Sequence, residues 1–117
     1  MNKLLIYIGE NRRFDLDFAV FAITSIDGVF NARRGNFIGA AFECNYSYAG
    51  RTTMVRISED LETVTVEGLG NESTEFAVNF QELIPEQLHV VDMDYSFELN
   101  LSEFKSGAEL MSAIEQE

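Results

Sequence analysis

The chain contains 117 residues, with 46% hydrophobic residues, one cysteine and a net charge of −12 at pH 7. This length predicts a single domain, residues 1–117, and ten Phe can fill its core without metal or disulfide support. One cysteine excludes an internal disulfide framework and a multi-cysteine zinc site. The sequence contains no run of 18 apolar residues, which excludes the usual signature of a membrane-spanning helix.

The first apolar run, residues 4–8, is compatible with an edge strand or with the start of a helix. It is too short for the core of a signal peptide, so we expect it to belong to the mature fold of a cytoplasmic protein. Residues 12–26 carry Phe14, Phe18 and Phe21 at helical spacing, which predicts an N-terminal helix. The same segment also alternates in part, so a strand is the alternative there.

A polar stretch at residues 31–36 contains Arg33 and Arg34 and is predicted to be a loop. Residues 37–67 show three alternating, β-branched segments separated by turns, which predicts an antiparallel meander. Residues 71–84 then combine N-cap candidates with apolar residues at helical spacing, and this pattern predicts a middle helix that Pro85 ends.

The clearest pattern is the alternation over residues 88–101, which predicts one strand with a buried face. Its second face carries Asp92, Asp94 and Glu98, all expected to point into solvent. A final helix is predicted to begin after Ser102 or Ser106. The predicted fold is therefore α+β: one antiparallel sheet, made of the meander and this strand, packed with an N-terminal, a middle and a C-terminal helix.

Charge is distributed unevenly along the chain. Residues 1–58 contain five acidic and seven basic side chains, whereas residues 59–117 contain fifteen acidic side chains and one basic side chain, Lys105. A field of this sign repels nucleic acid and anionic membranes and attracts basic surfaces. We therefore expect a basic protein as the partner. The simpler alternative is that the charge only keeps the protein soluble.

We predict no catalytic residue, cofactor site or metal site. His89 is the only histidine and has no recognisable nucleophile or orienting carboxylate, and Cys44 lies among residues predicted to face the core. Asp92 and Asp94 would lie about 7 Å apart on one strand face, a spacing that could serve hydrolysis or metal binding. The loop that a calcium site needs is missing, so we rank this chemistry low.

Residues 91–97 followed by a short helix carrying Glu109 and Leu110, in an acidic α+β domain of this size, resemble bacterial immunity proteins. These are the antitoxins of contact-dependent inhibition and related polymorphic toxin systems. The resemblance implies a non-catalytic function, namely stoichiometric binding of a toxin domain, often a basic nuclease, whose active site is thereby blocked. It implies no individual functional residue, because these families share no single motif.

The physical case for the same function is the acidic second half of the chain, which should associate quickly and salt-dependently with a basic cleft. The alternatives are a small-ligand-binding or self-associating domain without enzymatic activity and, less favoured, a small hydrolase. The oligomeric state is not predicted. The residues predicted to bind the partner are Glu59, Asp60, Glu62, Asp92, Asp94 and Glu98.

Overall fold

A computed structural model describes residues 2–37 and 39–116 of the chain, apart from the side chains of residues 36 and 37. The predicted meander includes Ile38, which lies outside the described residues. The strands are β1 (Lys3–Tyr7), β2 (Val29–Phe37), β3 (Ala40–Tyr48), β4 (Arg51–Ser58), β5 (Thr63–Glu67), β6 (His89–Asp92) and β7 (Glu98–Asn100). The helices are α1 (Leu16–Thr24), α2 (Asn71–Leu83) and α3 (Gly107–Glu115), with a short 3-10 turn at Leu101–Glu103.

These strands form one antiparallel sheet in the order β2-β3-β4-β5-β1-β6-β7. The α+β prediction is confirmed, as is the meander, which is formed by β3, β4 and β5. The first strand is not at an edge, because β1 lies between β5 and β6 and pairs with both. Strand β1 therefore joins strands β2 to β5 on one side to the β6–β7 pair on the other.

All three helices cover one face of the sheet. Helix α2 packs across β3, β4 and β5, α3 packs on α2, and α1 contacts β2 and α2. The core between these layers includes Phe76, whose ring lies 5.4 Å from Tyr46 and 5.8 Å from Phe80 between centroids. Burying each such ring contributes about 1.5–3 kcal/mol, so this aromatic cluster anchors the helical layer on the sheet.

Helices α1 and α3 start at capping side chains that the sequence offers, whereas α2 has no side-chain cap hydrogen bond, contrary to the N-cap candidates predicted at its start. Asp15 accepts a hydrogen bond from the Phe18 backbone N–H at the start of α1, and Ser106 accepts one from the Glu109 N–H at the start of α3. Ser106, rather than Ser102, is therefore the cap of the last helix. In the part of the chain that the structure describes, no helix is long and apolar enough to cross a membrane.

The prediction of one continuous strand over residues 88–101 is wrong. The strand ends at Asp92, the chain turns through residues 93–97, and β7 returns antiparallel to β6 with Val91 opposite Glu98. Asp92 causes the turn: its side chain accepts hydrogen bonds from the backbone N–H of Ser96 (2.8 Å) and from the Ser96 hydroxyl. Such local bonds compete with the sheet ladder and outweigh the hydrophobic alternation here.

The loop predicted at residues 31–36 is also wrong, since these residues belong to β2. β2 lies at the edge of the sheet, and its pairing with β3 is interrupted by register shifts. An edge strand tolerates such irregularities and the charged residues that suggest a loop, because one of its sides needs no partner strand.

Candidate protein-binding surface

The face of the sheet opposite the helices carries an ion-pair ladder. The Arg33 and Arg56 guanidinium groups both bind the Glu43 carboxylate, and Arg56 also lies 3.2 Å from Glu67. Lys3 extends the ladder to Glu67 at 3.7 Å. The hydrogen bonds from Arg56 and Arg33 lower the pKa of Glu43, so this carboxylate stays charged. The ladder neutralises the cations of the sheet internally.

Other cations are paired as well. Arg12 lies 3.4 Å from Glu86, Arg34 lies 2.7 Å from Asp17, and Arg51 lies 3.2 Å from Glu72. Many exposed carboxylates, by contrast, lie outside ion-pair distance of any Lys or Arg among the described residues. They include Glu10, Glu59, Glu82, Asp94, Glu98, Glu103 and Glu115. The field around the molecule is therefore set by unpaired carboxylates.

A groove of about 350 Å³ opens on this uncovered face, over β5, β1 and β6. Leu5 and Tyr7 alternate with the core residues Leu4 and Ile6 along β1, and for this reason they face away from the helices. We call this feature the tyrosine groove. The residues that line it include Leu5, Tyr7, Glu10, Glu62, Val91 and Tyr95.

Tyr7 links the tyrosine groove to Glu98, the first residue of β7. Its hydroxyl donates a 2.7 Å hydrogen bond to the Glu98 carboxylate, and the His89 ring stacks on its ring at 5.3 Å between centroids. Burial, this hydrogen bond and the negative charge of Glu98 together raise the pKa of Tyr7 to about 12. Tyr7 is thus a neutral donor that keeps Glu98 beside the tyrosine groove.

Tyr95 forms the outer wall of the tyrosine groove. Its side chain is 75% exposed, and its backbone has a φ of 53°, which is unusual for an aromatic residue. The Asp92–Ser96 turn holds it there, since the Tyr95 backbone N–H also donates to the Asp92 carbonyl. Glu10, another lining residue, has a φ of 57°. The tyrosine groove is therefore formed by tight turns that the surrounding sheet holds in place.

The structure brings some of the predicted binding residues together. Glu62 lines the tyrosine groove, Glu98 is bound to Tyr7, and Asp94 precedes Tyr95 in the same turn. Glu59 and Asp60 lie in the β4–β5 turn just before Glu62. Asp60 also stabilises that turn, because hydrogen bonds from the Ser58 hydroxyl and the Glu62 N–H lower the pKa of its carboxyl group.

Asp92 is the exception among the predicted residues. It was expected to be exposed, but only 3% of it is accessible, and it points to the helix side of the sheet, as its partner Leu4 does. The Ser96 hydrogen bonds lower the pKa of its carboxyl group, so it is a charged turn residue. Asp92 and Asp94 therefore do not share a strand face, contrary to the spacing on which the hydrolase alternative depends.

Neither Tyr7 nor Tyr95 was predicted to bind a partner: Tyr95 belongs to the alternating set expected to face the core, and Tyr7 lies in an apolar run to which no exposed face was assigned. The signal for Tyr95 was present: the segment 92–96 reads Asp-Met-Asp-Tyr-Ser, and Asp and Ser favour turns through side-chain-to-backbone hydrogen bonds. Tyr7 offered no such signal. Its exposure depends on which face of β1 the helices cover.

Cys44 has the surroundings of a structural residue and not those of a reactive thiol. Cys44 is buried in the core, and burial raises the pKa of its thiol to about 12, which opposes thiolate formation. Within residues 2–37 and 39–116, no group of three His, Cys, Asp or Glu side chains could hold a metal ion.

A second groove, largely apolar and about 320 Å³ in volume, lies between α1 and residues 84–86, with Phe14 and Phe18 in its wall.

The chain matches no protein-family model, no curated protein and no solved structure.

Proposed function

We propose that this chain is a non-catalytic acidic binding protein, an immunity protein that neutralises a basic toxin such as a nuclease. The observation that carries the proposal is the asymmetry of pairing: most cations are bound within the protein, whereas exposed carboxylates around the tyrosine groove are unpaired. A surface of this kind attracts a cationic partner, because few cations of its own neutralise it.

The physical fit to a nuclease follows from substrate chemistry. A nuclease must bind phosphate groups, so its active cleft is basic, and a carboxylate-rich surface competes for that cleft. We place the complex in the cytoplasm, where nucleic acid is accessible to the toxin. Association should be fast at low salt and should slow steeply as salt screens the two surfaces.

The test begins with capture of the partner on the tagged, full-length chain from lysate of the native host at low and at high salt. The captured protein is then identified, and its nuclease activity is measured with increasing amounts of the chain. We expect a basic protein, retained at low salt, whose activity disappears at a one-to-one ratio. A captured protein that stays fully active with excess chain contradicts the proposal, and so does recovery of no basic protein at low salt.

A matched pair of variants tests the location of the binding surface. Glu59→Lys with Asp94→Lys reverses two exposed acids near the tyrosine groove, while Glu82→Lys with Glu115→Lys makes the same charge change on the helical layer. We expect the first pair to weaken binding at least about tenfold more than the second, as close charge pairs in interfaces do. Equal weakening by both pairs contradicts this location.

A second candidate function, binding of a small apolar ligand, is favoured by the apolar groove beside α1, where Phe18 is partly exposed. Such binding should be insensitive to salt and should be lost in Phe18→Ser. The nuclease-inhibition assay distinguishes the two candidates, because an apolar ligand at α1 has no reason to produce stoichiometric, salt-dependent inhibition.

A further inference from the structure

We infer that the tyrosine groove receives an arginine side chain of the basic partner. This inference rests on the proposed function and specifies it: it names the group that is recognised and the place where recognition occurs. The tyrosine groove combines aromatic rings, carboxylates and an apolar floor in one concave site of about 350 Å³. Each of these parts fits a different property of a guanidinium group and its aliphatic stem.

The rings fit the planar cation. Tyr95 is largely exposed, and Tyr7 lines the same groove. Guanidinium groups stack on aromatic faces and are more weakly hydrated than an ammonium group, so they lose less on entering such a site. The apolar stem of the arginine can then lie over Leu5 and Val91 on the sheet.

The charges fit as well. Glu10 and Glu62 line the tyrosine groove, and Glu98 is held against Tyr7 through Oε2, which leaves Oε1 as an acceptor. Arg12 also lines the groove, but Glu86 lies 3.4 Å from its guanidinium and offsets its charge. The local field is therefore negative. An arginine that reaches it can form charge-assisted hydrogen bonds in addition to stacking.

The site is also held in position before binding. Tyr7 is fixed by Glu98 and by the stacked His89 ring, and the Tyr95 backbone is fixed by the Asp92–Ser96 turn. Ordering mobile groups is a major free-energy cost of association. Because the Tyr7 side chain and the Tyr95 backbone are already ordered in the folded protein, binding does not have to include that part of the cost. Such aromatic positions, surrounded by charged rim residues, are where a few side chains dominate the affinity of an interface.

Arginine peptides test the inference without the natural partner. A blocked (Arg-Gly)₃ peptide is titrated into the full chain at low salt, with (Lys-Gly)₃ and (Glu-Gly)₃ as comparisons, and backbone amide shifts are followed by NMR. We expect the arginine peptide to shift the amides of Leu5, Glu62 and Val91 most. The lysine peptide should bind several-fold more weakly, and the glutamate peptide should cause no shift.

Variants assign the effect to the tyrosine groove. Tyr95→Ala and Glu62→Gln should each weaken arginine-peptide binding about five- to tenfold, in line with one lost stacking or charge contact. Arg12→Gln should strengthen binding, because it removes a positive charge from the lining. The controls are Tyr48→Ala, another partly exposed tyrosine at the end of β3, and Glu82→Gln on α2, neither of which lines the groove.

The outcomes separate this inference from the proposed function. Equal binding of the arginine and lysine peptides overturns the assignment to a guanidinium. The second outcome is that the amide shifts spread over exposed acids such as Glu103 and that Tyr95→Ala binds the arginine peptide as the wild type does. This outcome overturns the tyrosine groove as the site but does not contradict binding of a basic partner. A captured toxin that the chain inhibits equally well with Tyr95→Ala has the same meaning, whereas failure to inhibit any basic protein contradicts the function itself.

Discussion

At the scale of single residues, Asp92 shows how one carboxylate can determine a local structure. Its side chain accepts two hydrogen bonds from Ser96, and its carbonyl accepts one from the Tyr95 N–H. Those bonds end β6, position Tyr95 beside the tyrosine groove and bury the carboxylate. The residue expected to bind a partner directly is therefore one that shapes the binding surface.

We predict that Asp92→Ala lowers the free energy of unfolding at pH 7 by about 1.5–3 kcal/mol, the usual range for lost hydrogen bonds to a buried charged group. The pKa of Asp92 is lowered in the folded protein, so its contribution is present above the pKa of an unfolded Asp, about 4. That contribution is lost as the pH falls through the folded-state pKa. The difference between wild type and variant should therefore shrink in urea unfolding at pH 3.

The matched control is Asp94→Ala, two residues further along in the same turn but exposed. It should change stability by no more than about 0.5 kcal/mol. An equal loss in both variants would show that the turn depends on net charge and not on the Ser96 hydrogen bonds.

At the scale of elements, the pattern of the sequence succeeds where burial decides and fails where a local hydrogen bond or pairing at the sheet edge decides. Helices α1, α2 and α3 lie where apolar periodicity indicates, and β3, β4 and β5 lie where alternation indicates. Residues 88–101 keep their alternation yet form two strands, because the Asp92 turn interrupts the ladder. Residues 31–36 have the composition of a loop yet pair as an edge strand, because β3 offers a free edge.

The link between α1 and β2 offers a sharp prediction at this scale. Gly28 has a φ of +99°, and a Cβ placed there would lie 2.4 Å from the Ser47 carbonyl oxygen. The same Ser47 donates its backbone N–H to the Gly28 carbonyl at 2.9 Å. Gly28→Ala should therefore lower the free energy of unfolding through steric overlap, by about 1–3 kcal/mol, and through backbone strain, by about 1 kcal/mol.

Gly50→Ala is the control for that prediction. Gly50 also has a positive φ, +80°, but a Cβ there would meet nothing within 4 Å. It should show the strain of about 1 kcal/mol without the overlap. If chemical denaturation gives equal losses for the two variants, the close contact at Ser47 does not constrain the α1–β2 link.

At the scale of the whole molecule, the sheet order mixes the two halves of the chain that differ in charge. β1 comes from the less acidic half but lies between β5 and β6, which come from the acidic half. This insertion places Tyr7 next to Glu98. It also places Glu10 in the groove that Glu62 lines. The cations of the first half are largely consumed in ion pairs, so the acidic excess remains at the surface.

We predict that this excess destabilises the isolated protein through self-repulsion. The melting temperature should rise between about 10 mM and about 0.5 M NaCl, because screening shortens the range of repulsion between unpaired carboxylates. Glu82→Gln with Glu115→Gln, which removes two unpaired charges, should reduce the rise. A melting temperature that falls with salt would mean that the Glu43 and Glu67 ion pairs contribute more than the repulsion costs.

The sequence by itself determined the α+β class, the helices, the meander and the negative field, since each follows from side-chain periodicity or composition along a short stretch. The tertiary structure alone decided that β1 is central, that Tyr7 faces away from the helices and that Glu62 lines the same groove as Tyr7, to which Glu98 is hydrogen-bonded. The physical reason is range. Strand order and the choice of the buried face depend on pairings between residues as distant as Tyr7 and Glu98, and no local pattern specifies them.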